Sequence, residues 1–159
     1  MGCDIHPVVE VKIKGRWEKY CELEVGRDYV LFGKLAGVRD LSVNPISWPK
    51  GFPHNLSGLT SLYFNIDDSD NNGFHDASYL TRTELSKLYR WLVLIHGRSW
   101  YEFDEMDRLS IENLSEEFRY AARALCLMMY SDQLVYDEVW KYLLEKSITD
   151  IRLVFAFDS

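Results

Sequence analysis

Val9, Val11 and Ile13 alternate with Glu10, Lys12 and Lys14, the period of two expected of a half-buried strand. Lys14-Gly15-Arg16 then reads as a turn into a second strand from Trp17 to Leu23, so the chain opens with a hairpin. Asp28 is placed to cap a short helix carrying Val30, Leu31, Phe32, Leu35 and Ala36, which Gly37 ends. Periodicity then stops. Residues 40 to 60 hold Pro45, Pro49 and Pro53 with Gly51 and Gly58, which predicts a long, locally stiff loop. The polar run NIDDSDNNGFHD at 65 to 76 predicts a second irregular segment, and long loops in a compact domain are where function concentrates.

Helical patterns fill the second half. Thr81 and Glu84 form a capping box, after which Leu85, Leu88, Trp91, Leu92 and Ile95 trace one face as far as Gly97. Ser115 caps a segment with Phe118, Ala121, Ala122, Leu125, Met128 and Met129 at helical spacing, and Asp132 opens another through Val135, Val139 and Leu143. That last helix also has Tyr136, Trp140 and Leu144 on a second side, which reads either as a partner-facing stripe or as burial in one larger core. The chain closes with Ile151, Leu153, Phe155 and Phe157 alternating against Arg152, Ala156 and Asp158, a C-terminal strand. No internal repeat or linker interrupts this order. The expectation is one α+β domain over residues 1–159: a small antiparallel sheet made by the N-terminal hairpin and the C-terminal strand, packed with three to five helices and two long loops.

Both terminal strands have an apolar odd-numbered face and a mostly polar even-numbered one. If they lie antiparallel as neighbours, a register setting Glu10 opposite Arg152 pairs opposite charges, and it also sets His6 opposite Ala156 and Asp4 opposite Asp158. Asp4, His6 and Asp158 then share one face of the sheet, unless they are simply solvated strand ends.

At 47% apolar, 27% charged and 14% aromatic over 159 residues, the chain is globular rather than disordered, and it is long enough to fold without a metal or a disulfide. Cys3, Cys21 and Cys126 are odd in number and lack a CxxC pair, which argues against a disulfide framework or zinc knuckle and for a reducing cytoplasm. The longest apolar runs fall far short of the roughly 20 residues that span a bilayer, no signal peptide is evident, and MGC lacks the Ser or Thr of a myristoylation signal, having His6 there. The formal net charge of -7 disfavours duplex nucleic acid, whose backbone requires clustered Lys and Arg. The deficit is uneven: residues 1 to 50 hold eight basic and seven acidic side chains, residues 51 to 159 ten and eighteen. A small anion therefore finds its donors in the first third.

Five segments, MGCDIH, RDYVLFGKLAGVRD, PISWPKGFPHNLS, FHDASYLTRTEL and DIRLVFAFD, occur here in the order in which they occur in a family of small, largely uncharacterised proteins encoded by bacteriophages and prophages, which this chain resembles. The resemblance spans the first half and the last ten residues, and Leu88 to Thr149 is variable helical filling. Residue by residue it implies importance for Cys3, Asp4, His6 and Glu10, then Arg27, Tyr29, Phe32 and Arg39, then Pro45, Pro49, Gly51 and Pro53. It continues with His75, Ser78, Leu80, Thr81 and Glu84. Asp76 stands where the family pattern has Ser, Tyr79 where it has Trp, and Lys50 where it has Arg, keeping the charge but not the forked geometry.

Two chemistries follow. Arg27, Arg39 and Lys50 beside Tyr29 and Trp48 offer guanidinium and ammonium groups for phosphate and rings for a base, with Asp4, His6, His75, Ser78 and Thr81 completing a ligand-binding set. Together with the resemblance, which implies a phage-encoded protein, this set predicts a protein of the host cytoplasm, without cofactor, that sequesters a small phosphorylated nucleotide-like ligand such as a host antiviral signal; a homo-oligomer would suit such a site. The alternative is a phosphodiesterase using a divalent metal on Asp4, His6, His75 and Asp158, with His6 and His75 also available as a metal-free acid/base pair. Asp76 is a reserve ligand, and Asp67, Asp68 and Asp70 lack a complete calcium-loop pattern. A third reading is direct inhibition of a host enzyme through the variable helices. His54 and His96 read as a loop residue and a helix C-terminal histidine. Nucleophilic, ATP-driven and nicotinamide chemistry lack their motifs: no GxSxG, GxxxxGK[ST] or GxGxxG is present.

Overall fold

The computed structural model describes residues 2–68, 72–96, 116–129 and 136–159. Among them are β1 (Asp4–Ile13), β2 (Arg16–Glu22), α1 (Tyr29–Ala36), α2 (Gly58–Tyr63), a 3-10 turn (Ile66–Asp68), β3 (His75–Leu80), α3 (Arg82–His96), α4 (Glu116–Leu127), α5 (Tyr136–Glu145) and β4 (Asp150–Asp158). The strands form one antiparallel sheet in the order β2-β1-β4-β3, giving an α+β fold in which the N-terminal hairpin and the C-terminal strand lie side by side. Among the described residues no helix is long and apolar enough to cross a membrane.

The hairpin turns through Lys14 and Gly15, both at positive φ (51° and 78°), the backbone that matches the right-handed twist of the flanking strands. The Asp28 carboxylate accepts from Leu31 N at 3.0 Å to start α1. Gly37, at φ 71°, ends it by donating from N to the Gly33 carbonyl while Val38 N donates to Phe32 O. At α3, Thr81 N donates to Glu84 Oε1 at 3.0 Å and Glu84 N donates to Thr81 Oγ1 at 3.3 Å, the reciprocal bonds of a capping box. The starts expected at Ser115 and Asp132, and the stop at Gly97, lie outside the described residues, but α4 and α5 occupy the expected segments.

The register between β1 and β4 sets Glu10 opposite Arg152, His6 opposite Ala156 and Asp4 opposite Asp158, as the charge-matching argument requires. Odd-numbered positions (Ile5, Val9, Val11, Ile151, Leu153, Phe155, Phe157) pack with α1, α3, α4 and α5 in the main core. Tyr136, Val139, Trp140 and Leu143 of α5 are buried there as well, so core burial accounts for the two-sided apolar pattern and these four offer no partner-facing stripe.

The even-numbered face is covered too, which sequence reading did not foresee. Val8, Val154 and Ala156 form a second core with Phe64, bordered by Phe52, Leu56, Tyr63, Ile66, Phe74, Ala77 and Tyr79. The expected loops thus contain α2 and the 3-10 turn and fold back as a lid of aromatic side chains. Its clamp is the buried pair Glu10–Arg152: Arg152 Nε and Nη2 donate to Glu10 Oε1 at 2.8 and 2.6 Å, Arg152 Nη1 donates to Asn55 Oδ1 at 2.9 Å, and Ser57 N donates to Glu10 Oε2 at 2.9 Å. The Trp17 ring lies 3.9 Å from the guanidinium carbon. Covered on both faces, β4 is buried from Ile151 through Phe157.

The sequence pattern predicts no strand over His75–Leu80, yet this segment is β3, at the sheet edge, where Gly51 N donates to Ala77 O at 2.8 Å and the proline loop shields part of that edge.

Candidate functional site

Polar side chains gather where β1 starts, β4 ends and β3 starts. On the even-numbered face His6 Nε2 lies 2.6 Å from Asp158 Oδ2, while the Tyr63 hydroxyl stands 3.4 Å from His6 Nδ1 and Phe74 packs edge-on against the imidazole. The tautomer carrying Nε2–H donates it to the carboxylate, while the one phenol proton of Tyr63 is also claimed by the Glu22 carboxylate, which accepts a hydrogen bond from it. Burial, and after it the Glu22 carboxylate, raise the Tyr63 pKa above its ordinary value, which keeps the phenol a proton donor.

Asp4, on the same face, is held by Arg27: Nε donates to Oδ1 at 2.7 Å and Nη2 to Oδ2 at 3.2 Å. That fork, with a smaller contribution from His6, pulls the Asp4 pKa below its ordinary value. Gly2 lets the guanidinium lie against the backbone, since a Cβ there would sit 2.0 Å from Arg27 Nη1. Cys3 N donates to the Tyr29 hydroxyl oxygen at 3.2 Å, tying α1 to the start of β1.

His75 takes the other face. Leu80 pairs with Leu153, Tyr79 with Val154 and Ser78 with Phe155, and continuing that count would set His75 opposite Asp158 on the His6 face. A bulge between His75 and Ser78 sets it opposite Phe157 instead, with Asp76 at φ 51°. One extra residue exchanges the faces, so the two imidazoles flank the end of β4 from opposite sides. His75 Nδ1 lies 2.8 Å from Asp76 Oδ2, and its Nε2 lies 2.8 Å from Ser159 Oγ.

This geometry does not suit the expected metal set. Asp4, His6 and Asp158 share one face while His75 lies on the other, and Asp4 is forked by Arg27. Among the described residues no three His, Cys, Asp or Glu side chains are grouped to hold a metal ion. For the same reason His6 and His75 do not face each other as an acid/base pair.

Beyond Asp4, His6, Arg27 and His75 at the strand ends, the predicted ligand-binding residues divide into two groups. Lys50 Nζ lies 2.6 Å from Glu84 Oε1 and 4.1 Å from the centre of the Tyr79 ring. Lys50 N donates to the Oγ of buried Ser78, and Thr81 caps α3. These three belong to the clasp that ties the proline loop to β3 and α3, toward the opposite end of β3 from His75. Around α1 the arrangement is more open. Arg39, at φ 68°, places its guanidinium 5.6 Å from the centre of the Tyr29 ring. Trp48 is 63% exposed and lies against Gly37, where a Cβ would come within 2.3 Å of the indole.

Sequence reasoning missed Tyr63 and Ser159. Tyr63 carried no signal, because only the fold-back of α2 brings it to His6. Ser159 carried one, since it follows Asp158 at a strand end already assigned to the site. All three cysteines are free, and burial raises Cys21 to about 11 and Cys126 to about 12, so neither is a reactive thiolate. Compared with known proteins, the chain matches no family model, no curated protein and no solved structure.

Proposed function

We propose that the protein captures a small phosphorylated nucleotide-like ligand at the corner formed by α1 and the proline loop. The observation that carries this reading is Trp48: a large indole left 63% exposed yet seated against the backbone of Gly37, two residues before Arg39, whose guanidinium lies 5.6 Å from the centre of the Tyr29 ring. An exposed ring is a ready stacking surface for a base, and Arg39 and Arg27, which flank α1 in sequence, supply guanidinium charge for phosphate. The uneven charge of the chain supports the same corner, because both arginines lie in the first fifty residues, where acidic groups do not predominate. In this reading the protein is phage-encoded and works in the host cytoplasm, where removing such a signal blunts an antiviral response.

The test is incubation of the protein with cyclic nucleotides and ADP-ribose-like signals, followed by heat denaturation and assay of what is released. Intact ligand recovered in proportion to protein is the expected result. Altered ligand would replace capture by phosphodiester hydrolysis, and no depletion at all would remove both. Trp48→Ala is expected to weaken binding by about 1–3 kcal/mol, roughly 5- to 150-fold, the usual worth of one base–aromatic stack. Unchanged affinity in that variant, measured by calorimetry, would move the site elsewhere.

A further inference from the structure

A hydroxyl, an imidazole and a carboxylate stand in series at the β3 edge, unused by the capture reading. Ser159 Oγ lies 2.8 Å from His75 Nε2, and His75 Nδ1 lies 2.8 Å from Asp76 Oδ2. Both spacings fall within the roughly 2.6–3.2 Å over which a base takes a proton from a nucleophile and a third group orients the base. The bulge produces this arrangement. With Asp76 in the left-handed region, its carboxylate turns back onto the preceding imidazole, and the Phe157 ring stacks on that imidazole at 6.1 Å between centroids and 27° between planes. Nδ1–H donated to Asp76 fixes the tautomer and leaves the Nε2 lone pair directed at the hydroxyl. The His75 side chain is 41% exposed and Ser159 is exposed, so small molecules reach the hydroxyl.

We propose that Ser159, His75 and Asp76 act as nucleophile, general base and orienting carboxylate toward small acyl esters. Ser159 Oγ forms a bond to the carbonyl carbon as the bond from that carbon to the leaving oxygen breaks. The hydroxyl proton passes to His75 Nε2 and from there to the leaving oxygen, which departs with the bonding pair as an alcohol or phenol. Water, giving a proton to Nε2, then attacks the acyl-serine and releases the carboxylic acid, restoring the hydroxyl. No GxSxG motif announces this site, because the serine follows a strand end instead of sitting in a strand-to-helix turn.

The probe is p-nitrophenyl acetate on the full chain, with acid quenching and peptide mass spectrometry to locate the acetyl group. Acetylation of Ser159 is expected at least about a hundredfold faster than in the same chain unfolded in urea, since an intact triad member is commonly worth far more than that. Ser159→Ala, a change at an exposed position, is expected to abolish nitrophenol release above background. His75→Gln is expected to bring Ser159 acetylation down to the unfolded-chain rate. Asp76→Gly keeps the left-handed backbone, and with it the bulge, while removing the carboxylate; it is expected to slow the reaction at least about tenfold. Circular dichroism confirms the fold of each variant. Ser159 acetylation no faster in the folded than in the unfolded chain, acetylation unchanged in His75→Gln, or nitrophenol release persisting in Ser159→Ala would each overturn the proposal.

Discussion

Breaking the buried Glu10–Arg152 pair should destabilise this protein more than almost any other single polar substitution. Glu10 is fully buried and the Arg152 side chain is 6% exposed, so neither charge has water to fall back on. Arg152→Met removes the cation and leaves Glu10 holding only the Ser57 backbone N–H, while Asn55 loses the donors to both its side-chain and its main-chain oxygen. An uncompensated buried charge costs about 3–5 kcal/mol. In a domain of this size each kcal/mol moves Tm by about 2–4 °C, so the expected fall is roughly 6–20 °C. Replacing both partners is a different matter. Glu10→Met with Arg152→Met abolishes both charges and fills the space with carbon, leaving unsatisfied only the Ser57 N–H and the Asn55 groups, at about 1–3 kcal/mol each if they stay dry. The double variant is therefore expected to be less destabilised than the sum of the singles by about 2 kcal/mol or more. Urea unfolding followed by far-ultraviolet circular dichroism on the four proteins of the cycle measures this. Single variants each costing under about 1 kcal/mol, with additive effects, would refute the view that the pair is a desolvated clamp and reduce it to an exposed ion pair. Amide exchange adds a local readout, because opening of 55–60 should accelerate in the single variants while α4 and α5 stay protected until global unfolding.

Gly37→Ala combines a left-handed φ of 71° with a Cβ 2.3 Å from the Trp48 ring, so a loss of about 1–2 kcal/mol is expected together with a shift in tryptophan emission as the indole is displaced. Because Arg27 lowers the Asp4 pKa, this pair contributes stability above the unfolded Asp value of about 3.9, and the contribution is lost as pH falls through the lower folded value. Arg27→Ala should return the Asp4 titration, followed by carboxyl carbon NMR, to the ordinary range, and an unmoved titration would contradict the fork. With Cys21 and Cys126 raised to about 11 and about 12, both thiols should resist a disulfide reagent at pH 8 in the folded chain and react on unfolding; rapid native reaction would contradict their burial.

What could be read before folding and what could not differ in their physics. Parity and charge can be counted along the chain, so once β1 and β4 are taken as antiparallel neighbours Glu10 against Arg152 sets their register, and the positions along those strands follow, including His6 on the face of Asp158. Helix caps at Asp28, Gly37 and Thr81 are likewise settled within four or five residues. A bulge is not local in this sense. HDASYL contains no glycine to mark one, and its single extra residue carries His75 to the face opposite His6. The lid over the even face was legible only as three misplaced apolar residues, Val8, Val154 and Ala156, in a row otherwise polar. Lys50, Ser78 and Thr81 show the limit of ligand chemistry argued from residue type, because a donor suited to phosphate suits a loop clasp equally well.

The sheet order has a kinetic consequence. β4 comes latest in the chain yet lies between β1 and β3, and the contact that builds the site, His6 to Asp158, spans 152 residues. Nearly the whole sequence must be looped before that contact can form, and closing loops of this length slows folding relative to helical proteins with local contacts. The hairpin and the helices can form early, but the edge of β1 has no β4 partner until that strand is available. A folding intermediate with an open β1 edge is therefore expected, exposed to wrong pairing until β4 docks.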